Sequence, residues 1–238
     1  MPVSDLHREV AGVALRAAAR HGFALGGGNA LIAHGVIDRP TEDIDLFTDR
    51  EHGVAAAADA VEAALRRAGY TAERQDKTAG LSEVFEGMGD GPAEWIIITP
   101  GGAQLLLQMA YFDRGRQPVL MEFGPVLDLD DAIGGKVAAL ASRAAERDYL
   151  DVAAALARGY TVAPLTALAL ALDPGLAAED FADAGQRLDR LRDDRFAPYG
   201  LTPDDVTRLR KQFADWPRTP GTVPGAPHAG APFPLDGE

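Results

Sequence analysis

The sequence predicts an α+β protein, in which a mixed β-sheet with flanking helices is followed by an α-helical C-terminal bundle. Three observations support this class. Helical and extended patterns alternate up to about residue 127, whereas residues 128–216 have helical periodicity throughout. The chain has 238 residues, of which 47% are hydrophobic, and this is enough to bury a sizeable core. We therefore expect a sheet domain over 1–127, a helical domain over 128–216 and a tail over 217–238.

The elements of the first domain follow from hydrophobic periodicity and from glycine and proline positions. Helices are predicted at 4–21, 29–36 and 53–68, and strands at 23–25, 43–48, 70–76, 81–86, 94–99, 104–112 and 119–127. The segment 113–116 is typical of a hairpin turn between the last two strands. The segment 217–238 holds six prolines and four glycines, a composition that favours an unpacked tail.

Composition excludes several classes of protein. The formal net charge is −13, which argues against a general nucleic-acid coat but not against a local basic patch. The chain has no cysteine, so disulfides, zinc–thiolate sites and thiol nucleophiles are excluded. No apolar run reaches the roughly 18 residues of a membrane span, and the first residues lack a secretory pattern. We expect a cytoplasmic protein with no membrane partner.

The most informative stretch combines three glycines, 26–28, with the acidic pair Asp43 and Asp45. Side chains alternate along a strand, so the two aspartates share one face, and their mutual repulsion favours a bound divalent cation. Carboxylate oxygens suit Mg²⁺, which recruits phosphate oxygens as further ligands. The glycines, at the start of a helix, allow backbone N–H groups to approach a phosphate. The pattern therefore indicates a triphosphate site with magnesium.

Each feature alone also has an ordinary explanation. A glycine run is usually a turn, and Asp-x-Asp on a strand is often surface decoration. Their succession, a strand, glycines, a short helix and then Asp-x-Asp, is much more specific than either.

This succession resembles the signature of the nucleotidyltransferase superfamily. The finer pattern, Gly-Gly-x-x-Leu, His34-Gly35 and Arg39-x-Thr41-x-Asp43-Ile-Asp45-Leu, is similar to the AbiEii/AbiGii toxin family, including the MenT-type toxins. The similarity continues in Asp131-Ala-Ile-Gly-Gly-Lys136 and in Arg147-Asp148-x-x-Asp151. It implies the nucleotidyltransferase fold, a helical domain that completes the active site, and transfer of NMP from an NTP with two Mg²⁺ ions. It further implies a tRNA 3′ end as acceptor, within a type IV-like toxin–antitoxin pair that includes an antitoxin protein.

The resemblance assigns candidate site residues. Asp43, Asp45 and Lys136 are the catalytic candidates, and the predicted nucleotide contacts are Gly27, Gly28, Asn29, Arg39, Thr41 and Asp148. Only three lysines stand against twenty arginines, which favours a functional role for Lys136 over a surface one. Asp148 has a structural alternative near a helix N-terminus, and Arg147 and Asp151 have one as an i,i+4 pair. Some relatives carry a serine where this chain has Gly27 or Gly28.

A third metal-binding carboxylate is expected from a neighbouring strand. Glu122 is the best candidate because its neighbours in 118–123 are apolar, and a buried carboxylate needs a partner. The alternative for Glu122 is an exposed edge-strand position. Asp113 is a weaker candidate because it lies where a turn favours aspartate.

The acceptor is less constrained by sequence. Residues 187–218 hold eight basic and six acidic residues, and a basic track for tRNA could be supplied by Arg187, Arg190, Arg192, Arg208, Arg210 and Lys211. A solvated helical face explains the same residues equally well. Two other functions fit the chain: an antibiotic nucleotidyltransferase of the aminoglycoside type, and a non-catalytic nucleotide-binding module.

Overall fold

The computed structural model describes residues 3–75 and 91–225. These residues form two compact units that divide between residues 132 and 133. The strand predicted at 81–86 lies outside the described residues. Among the helices of the described ranges, none combines the length and the apolar character that crossing a lipid bilayer would require.

The first unit contains a mixed sheet, so the predicted α+β class is confirmed. Its described strands number seven and lie in the order β3-β4-β5-β2-β1-β7-β6. The pairs β2/β5 and β1/β7 are parallel, and the remaining pairs are antiparallel. The elements are α1 (Asp5–Ala17), β1 (Ala24–Leu25), α2 (Gly27–Ala33), β2 (Asp43–Thr48), α3 (Gly53–Arg67), β3 (Thr71–Arg74), β4 (Ala93–Ile98), β5 (Gln104–Tyr111), β6 (Val119–Met121) and β7 (Gly124–Val126).

The two faces of the central strands differ in burial. Ile44, Leu107 and Trp95 lie side by side on one face and are fully buried. Trp95 Nε1 donates to Glu62 Oε2 at 2.9 Å, which places α3 over this face. The opposite face of β2 is half-buried and carries Asp43 and Asp45. The alternation of β2 thus gives one face to the core and leaves the other for the carboxylates.

The hairpin predicted around 113–116 is wrong. β5 does not pair with β6, because β2 and β4 occupy its two edges. β6 pairs instead with β7, so the strand predicted over 119–127 is a short hairpin of its own. The segment between β5 and β6 is held by Asp131. The Asp131 carboxylate accepts hydrogen bonds from the backbone N–H groups of Gly115 (3.2 Å) and Arg116 (2.9 Å).

The second unit is helical, as predicted. α4 (Leu129–Arg143) runs across the division between the units, and α5 (Glu146–Ala157), α6 (Val162–Leu172), α7 (Ala178–Arg190) and α8 (Pro203–Gln212) follow. The core contains an aromatic cluster of Tyr149, Phe213 and Trp216, whose successive ring centroids are 5.7 and 5.3 Å apart. The indole N–H of Trp216 donates to the Phe181 carbonyl, which ties the end of the helical region to α7.

Residues 217–225, predicted as the start of a tail, instead pack against α7. Gln186 Nε2 donates to the Arg218 carbonyl at 2.9 Å, and the Arg218 guanidinium binds Asp189. Gly185 permits this approach because a Cβ there would overlap the Pro217 carbonyl oxygen. Polar contacts and a close backbone approach therefore order a segment whose composition offers little apolar surface. Residues 226–238 lie outside the described residues.

Candidate active site

The glycine turn lies directly against Asp45. Gly26 N–H donates to the Asp45 carbonyl at 2.8 Å, and α2 begins at Gly27 with φ of 57°. A Cβ on Gly27 would overlap Asp45 Oδ2. Both the left-handed backbone and the close carboxylate therefore require glycine at this position.

Thr41 and Arg39 lie beside the same turn. A Cβ on Gly28 would overlap the Thr41 methyl group, and an Arg39 guanidinium nitrogen lies 3.8 Å from that point. The space that a serine side chain would need is thus filled by Thr41 at position 28 and by Asp45 at position 27. This explains why the chain has glycine where some relatives have serine.

Asn29 has a different contact from the one predicted. Its side chain is 2% exposed, and Nδ2 donates to the Asp43 carbonyl at 2.7 Å. The amide therefore links α2 to β2 and holds the two aspartates in place relative to the glycine turn. The structure thus gives Asn29 a positioning contact, and its predicted contact with phosphate stays a prediction.

Asp43 and Asp45 provide the donor set for a cation. They project from the half-buried face of β2, and their hard oxygens suit Mg²⁺, which completes its coordination with water and phosphate oxygens. The Gly27 backbone leaves room against Asp45 that any side chain would fill. Within the described ranges no group of three or more His, Cys, Asp or Glu side chains could by itself hold a metal ion. The residues therefore fit a magnesium ion that is shared with a substrate.

His7, which the sequence analysis did not single out, lies in α1 near the start of β2. Burial lowers the pKa of its imidazole, while the Glu42 carbonyl and the Asp43 carboxylate act in the opposite direction. Its Nδ1 contacts Ser4 Oγ, and within the described residues its Nε2 makes no hydrogen bond of good geometry. His7 therefore lies near enough to the Asp43 end of β2 for the two side chains to interact electrostatically. A lone histidine on a helix gave no sequence signal for this.

The basis for Glu122 as the third carboxylate is wrong. Glu122 is exposed in the turn between β6 and β7, at the far edge of the sheet from β2's partner β5. No buried strand surrounds it, so nothing forces it to find a cation. Asp113 is also exposed, beyond the end of β5.

The strand that does lie beside Asp45 is β5. Asp45 is in register with Gln108, and Gln108 is in register with Glu94 of β4. Gln108 Nε2 donates to Glu94 Oε2 at 2.8 Å. Sequence reasoning missed this pair because the pairing of β2 with β5 is not encoded in either segment alone.

Lys136 and the two aspartates of α5 lie in the helical unit. Lys136 Nζ is 3.0 Å from Asp151 Oδ2, and Asp151 is 1% exposed. Asp148 is fully buried; Arg143 donates to both of its oxygens (2.9 and 2.8 Å), and the Ala145 N–H donates to Oδ2. These contacts, a cap and an ion pair at the start of α5, agree with the structural alternative for Asp148, and its contact with nucleotide stays a prediction. Asp151 thus pairs with Lys136, and the alternative pairing of Arg147 with Asp151 stays a prediction.

The predicted basic track is partly neutralised within the unit. Arg210 pairs with Asp193 at 2.7 Å, Arg192 with Asp194 at 2.7 Å, and Arg208 with Asp205. Arg187 and Lys211 are exposed. The positive charge available on this surface is therefore smaller than the residue count suggests.

A mixed sheet whose strand presents two carboxylates against a glycine turn is the arrangement of a nucleotidyltransferase, and the enzyme class predicted from the sequence is confirmed. The family model described as "Nucleotidyl transferase AbiEii toxin, Type IV TA system" matches residues 11–218, and the chain belongs to this family. It is thus a nucleotidyltransferase toxin of a type IV toxin–antitoxin system, and the family implies an NTP substrate and an antitoxin partner.

Two solved structures share the fold. JHP933 from Helicobacter pylori has 17% sequence identity and a TM-score of 0.55, with 88% of this chain and 91% of that chain covered. The nucleotidyltransferase toxin MenT4 from Mycobacterium tuberculosis has 16% identity and a TM-score of 0.56, with 88% and 82% covered. No curated protein matches the sequence.

Proposed function

We propose that the protein transfers NMP from an NTP to the 3′-terminal hydroxyl of a tRNA, in the cytoplasm and with Mg²⁺. The observation that carries the proposal is the contact between Gly27 and Asp45. It brings backbone that can approach a phosphate and a carboxylate that can hold a metal to a single point. Such an arrangement suits a substrate that is both a polyphosphate and a metal ligand.

The proposed reaction is an in-line displacement. The acceptor oxygen forms a bond to the α-phosphorus, the bond from that phosphorus to the pyrophosphate oxygen breaks, and the hydroxyl proton passes to solvent. Mg²⁺ held by Asp43 and Asp45 would supply charge neutralisation of the triphosphate and a more acidic acceptor hydroxyl. The glycine backbone and Arg39 hold phosphate oxygens, while Asn29 fixes the distance between α2 and β2. Lys136 is proposed to neutralise the departing pyrophosphate.

The tRNA acceptor rests on the family resemblance and on the exposed basic residues of the helical unit, such as Arg187 and Lys211. A specific observation favours a second candidate. Because Arg192, Arg208 and Arg210 are paired with aspartates, and the whole chain carries a charge of −13, a cationic small molecule would be attracted more readily than a polyanion. An aminoglycoside nucleotidyltransferase is therefore the second proposal.

The two proposals are separated by one experiment. The protein is incubated with each of the four labelled NTPs, Mg²⁺, and either bulk tRNA or an aminoglycoside panel. We expect label on tRNA, absent with Asp45→Ala and retained with Glu42→Gln, an exposed carboxylate close by that serves as the matched control. Label on the drug alone would establish the second proposal. Nucleotide binding without transfer to either acceptor would contradict both and leave a binding module.

A further inference from the structure

The half-buried face of β2, β4 and β5 carries both apolar and polar side chains. The apolar positions on this face of β2, β4 and β5 are Phe47, Ile96, Ile98, Leu106 and Ala110. The polar residues on this face are Gln104, at the exposed end of β5, and Asp43, Asp45, Gln108 and Glu94. Three of them are consecutive in register across the strands, so they form a polar row. Partly burying this row has a cost in desolvation, which calls for a physical reason.

A hydrogen bond within the polar row fixes the orientation of the Gln108 side-chain amide. Gln108 Nε2 donates to Glu94 Oε2 at 2.8 Å, and an ionised carboxylate can only accept. The amide nitrogen of Gln108 is therefore committed to β4. Its carbonyl oxygen, Oε1, is the other lobe of the same planar amide, and β2 with Asp45 is the strand on the other side of β5.

We propose that Gln108 Oε1 is an oxygen ligand for the divalent cation at Asp43 and Asp45, and that Glu94 is the positioning residue that orients it. The proposal rests on the proposed function, which places a cation on this face. Side-chain amide oxygens are hard donors of the kind that such cations accept. A neutral ligand beside Asp45 also adds a donor without adding a third repelling charge at the site. Glu94 acts through the hydrogen bond, as the outer partners of metal ligands commonly do.

The probe is Mn²⁺ without nucleotide, with the dissociation constant measured by electron paramagnetic resonance and by competition with Mg²⁺. We expect Gln108→Leu, which suits the apolar face, to weaken Mn²⁺ binding about 10-fold. Glu94→Gln keeps an acceptor for Gln108 and should change the constant less than about 3-fold, whereas Glu94→Leu should weaken binding about 10-fold. A purely structural pair would lower the melting temperature in the leucine variants and leave the Mn²⁺ constant at its wild-type value, which would overturn the proposal.

Gln108→Glu is the alternative test variant if Gln108→Leu does not fold. It puts a carboxylate between Glu94 and Asp45, so the metal-free protein should melt lower and gain more from Mn²⁺ than the wild type does. An equal gain would overturn the proposal. Asp45→Asn in the same assay distinguishes a failure of this inference from a failure of the proposed function. If Asp45→Asn abolishes Mn²⁺ binding and Gln108→Leu leaves the dissociation constant at its wild-type value, the inference alone is wrong; if Asp45→Asn has no effect, the metal site of the proposed function is wrong.

Discussion

Two pairs of aspartates in this chain look alike in sequence and differ in structure. Asp43 and Asp45 lie half-buried on the face of β2, next to the glycine turn. Asp148 and Asp151 lie on α5 with at most 1% exposure, and each faces a cation of α4, Arg143 or Lys136. We propose that the first pair binds a ligand, whereas the second forms ion pairs with cations of its own chain. Burial together with an internal cation separates a structural acid from a chemical one.

The pair of Lys136 and Asp151 tests the second half of this comparison, with the largest expected effect. Lys136→Met leaves a buried carboxylate without this cation, and we expect a loss of about 3 to 5 kcal/mol in the free energy of unfolding, measured in urea. Lys136→Met with Asp151→Leu should regain most of that stability and still lack transfer activity. A single variant as stable as the wild type would show that Asp151 does not depend on Lys136.

Substituting one aspartate of each pair by asparagine tests the comparison directly. Asp43→Asn should lower labelled NMP transfer by about a hundredfold with little change in melting temperature, because it removes a proposed metal ligand from a half-buried surface. Asp148→Asn should cost about 2 kcal/mol in stability, since Arg143 loses its ionised partner. Loss of transfer in Asp148→Asn without loss of stability would break the comparison and support the predicted nucleotide contact of Asp148.

Part of this site could be predicted from the sequence. The bounds of β2 and the sharing of one face by Asp43 and Asp45 follow from residue alternation, which is local information. The glycine requirement at position 27 is also a local signal, though its cause, the Asp45 carboxylate, is not. Gln108 and the exposed Glu122 could not be placed, because which strand lies beside β2 depends on pairing between distant segments. The hydrogen bond of Asn29 to the Asp43 carbonyl was not predicted, because a polar residue in a phosphate-binding pattern can bind the backbone equally well.

Gly27→Ala tests how closely the backbone must approach Asp45. The Cβ would collide with the carboxylate at a left-handed residue, so we expect about 1 to 3 kcal/mol lower stability together with at least tenfold lower transfer. Gly102→Ala is the matched control: its φ is 83°, and nothing lies within 4 Å of the added Cβ. Gly102→Ala should lower the stability through the same left-handed backbone strain and keep full transfer activity. Equal activity in both variants would contradict the role of the Gly27 contact.

An exposed aspartate with a partner gives the smallest expected effect. The hydrogen bonds from Arg218 hold the pKa of Asp189 below its usual value of 3.8. A lowered folded-state pKa stabilises the protein above the ordinary value, and this contribution disappears as pH falls through the folded value. The stability difference between wild type and Arg218→Met should therefore be constant near neutral pH and shrink below about pH 4. The Arg218 guanidinium also donates to the backbone carbonyls of Phe213 and Trp216. If the difference in unfolding free energy, measured in urea, does not depend on pH, these contacts and not the pair with Asp189 account for the effect of Arg218.

The pairing of β5 with β2 determines when the site can form while the chain is being synthesised. β2 ends at residue 48, but the strand that flanks it is complete only at residue 111, and the parallel partner of β1 follows at 124–126. Pairings between such distant segments must first overcome the entropy of closing the intervening loop. A growing chain therefore carries its Asp-x-Asp strand with β1 as its only available neighbour, and without β5, until more than half of the first unit has been added. The toxin acquires a competent centre late, after most of its sheet has left the ribosome.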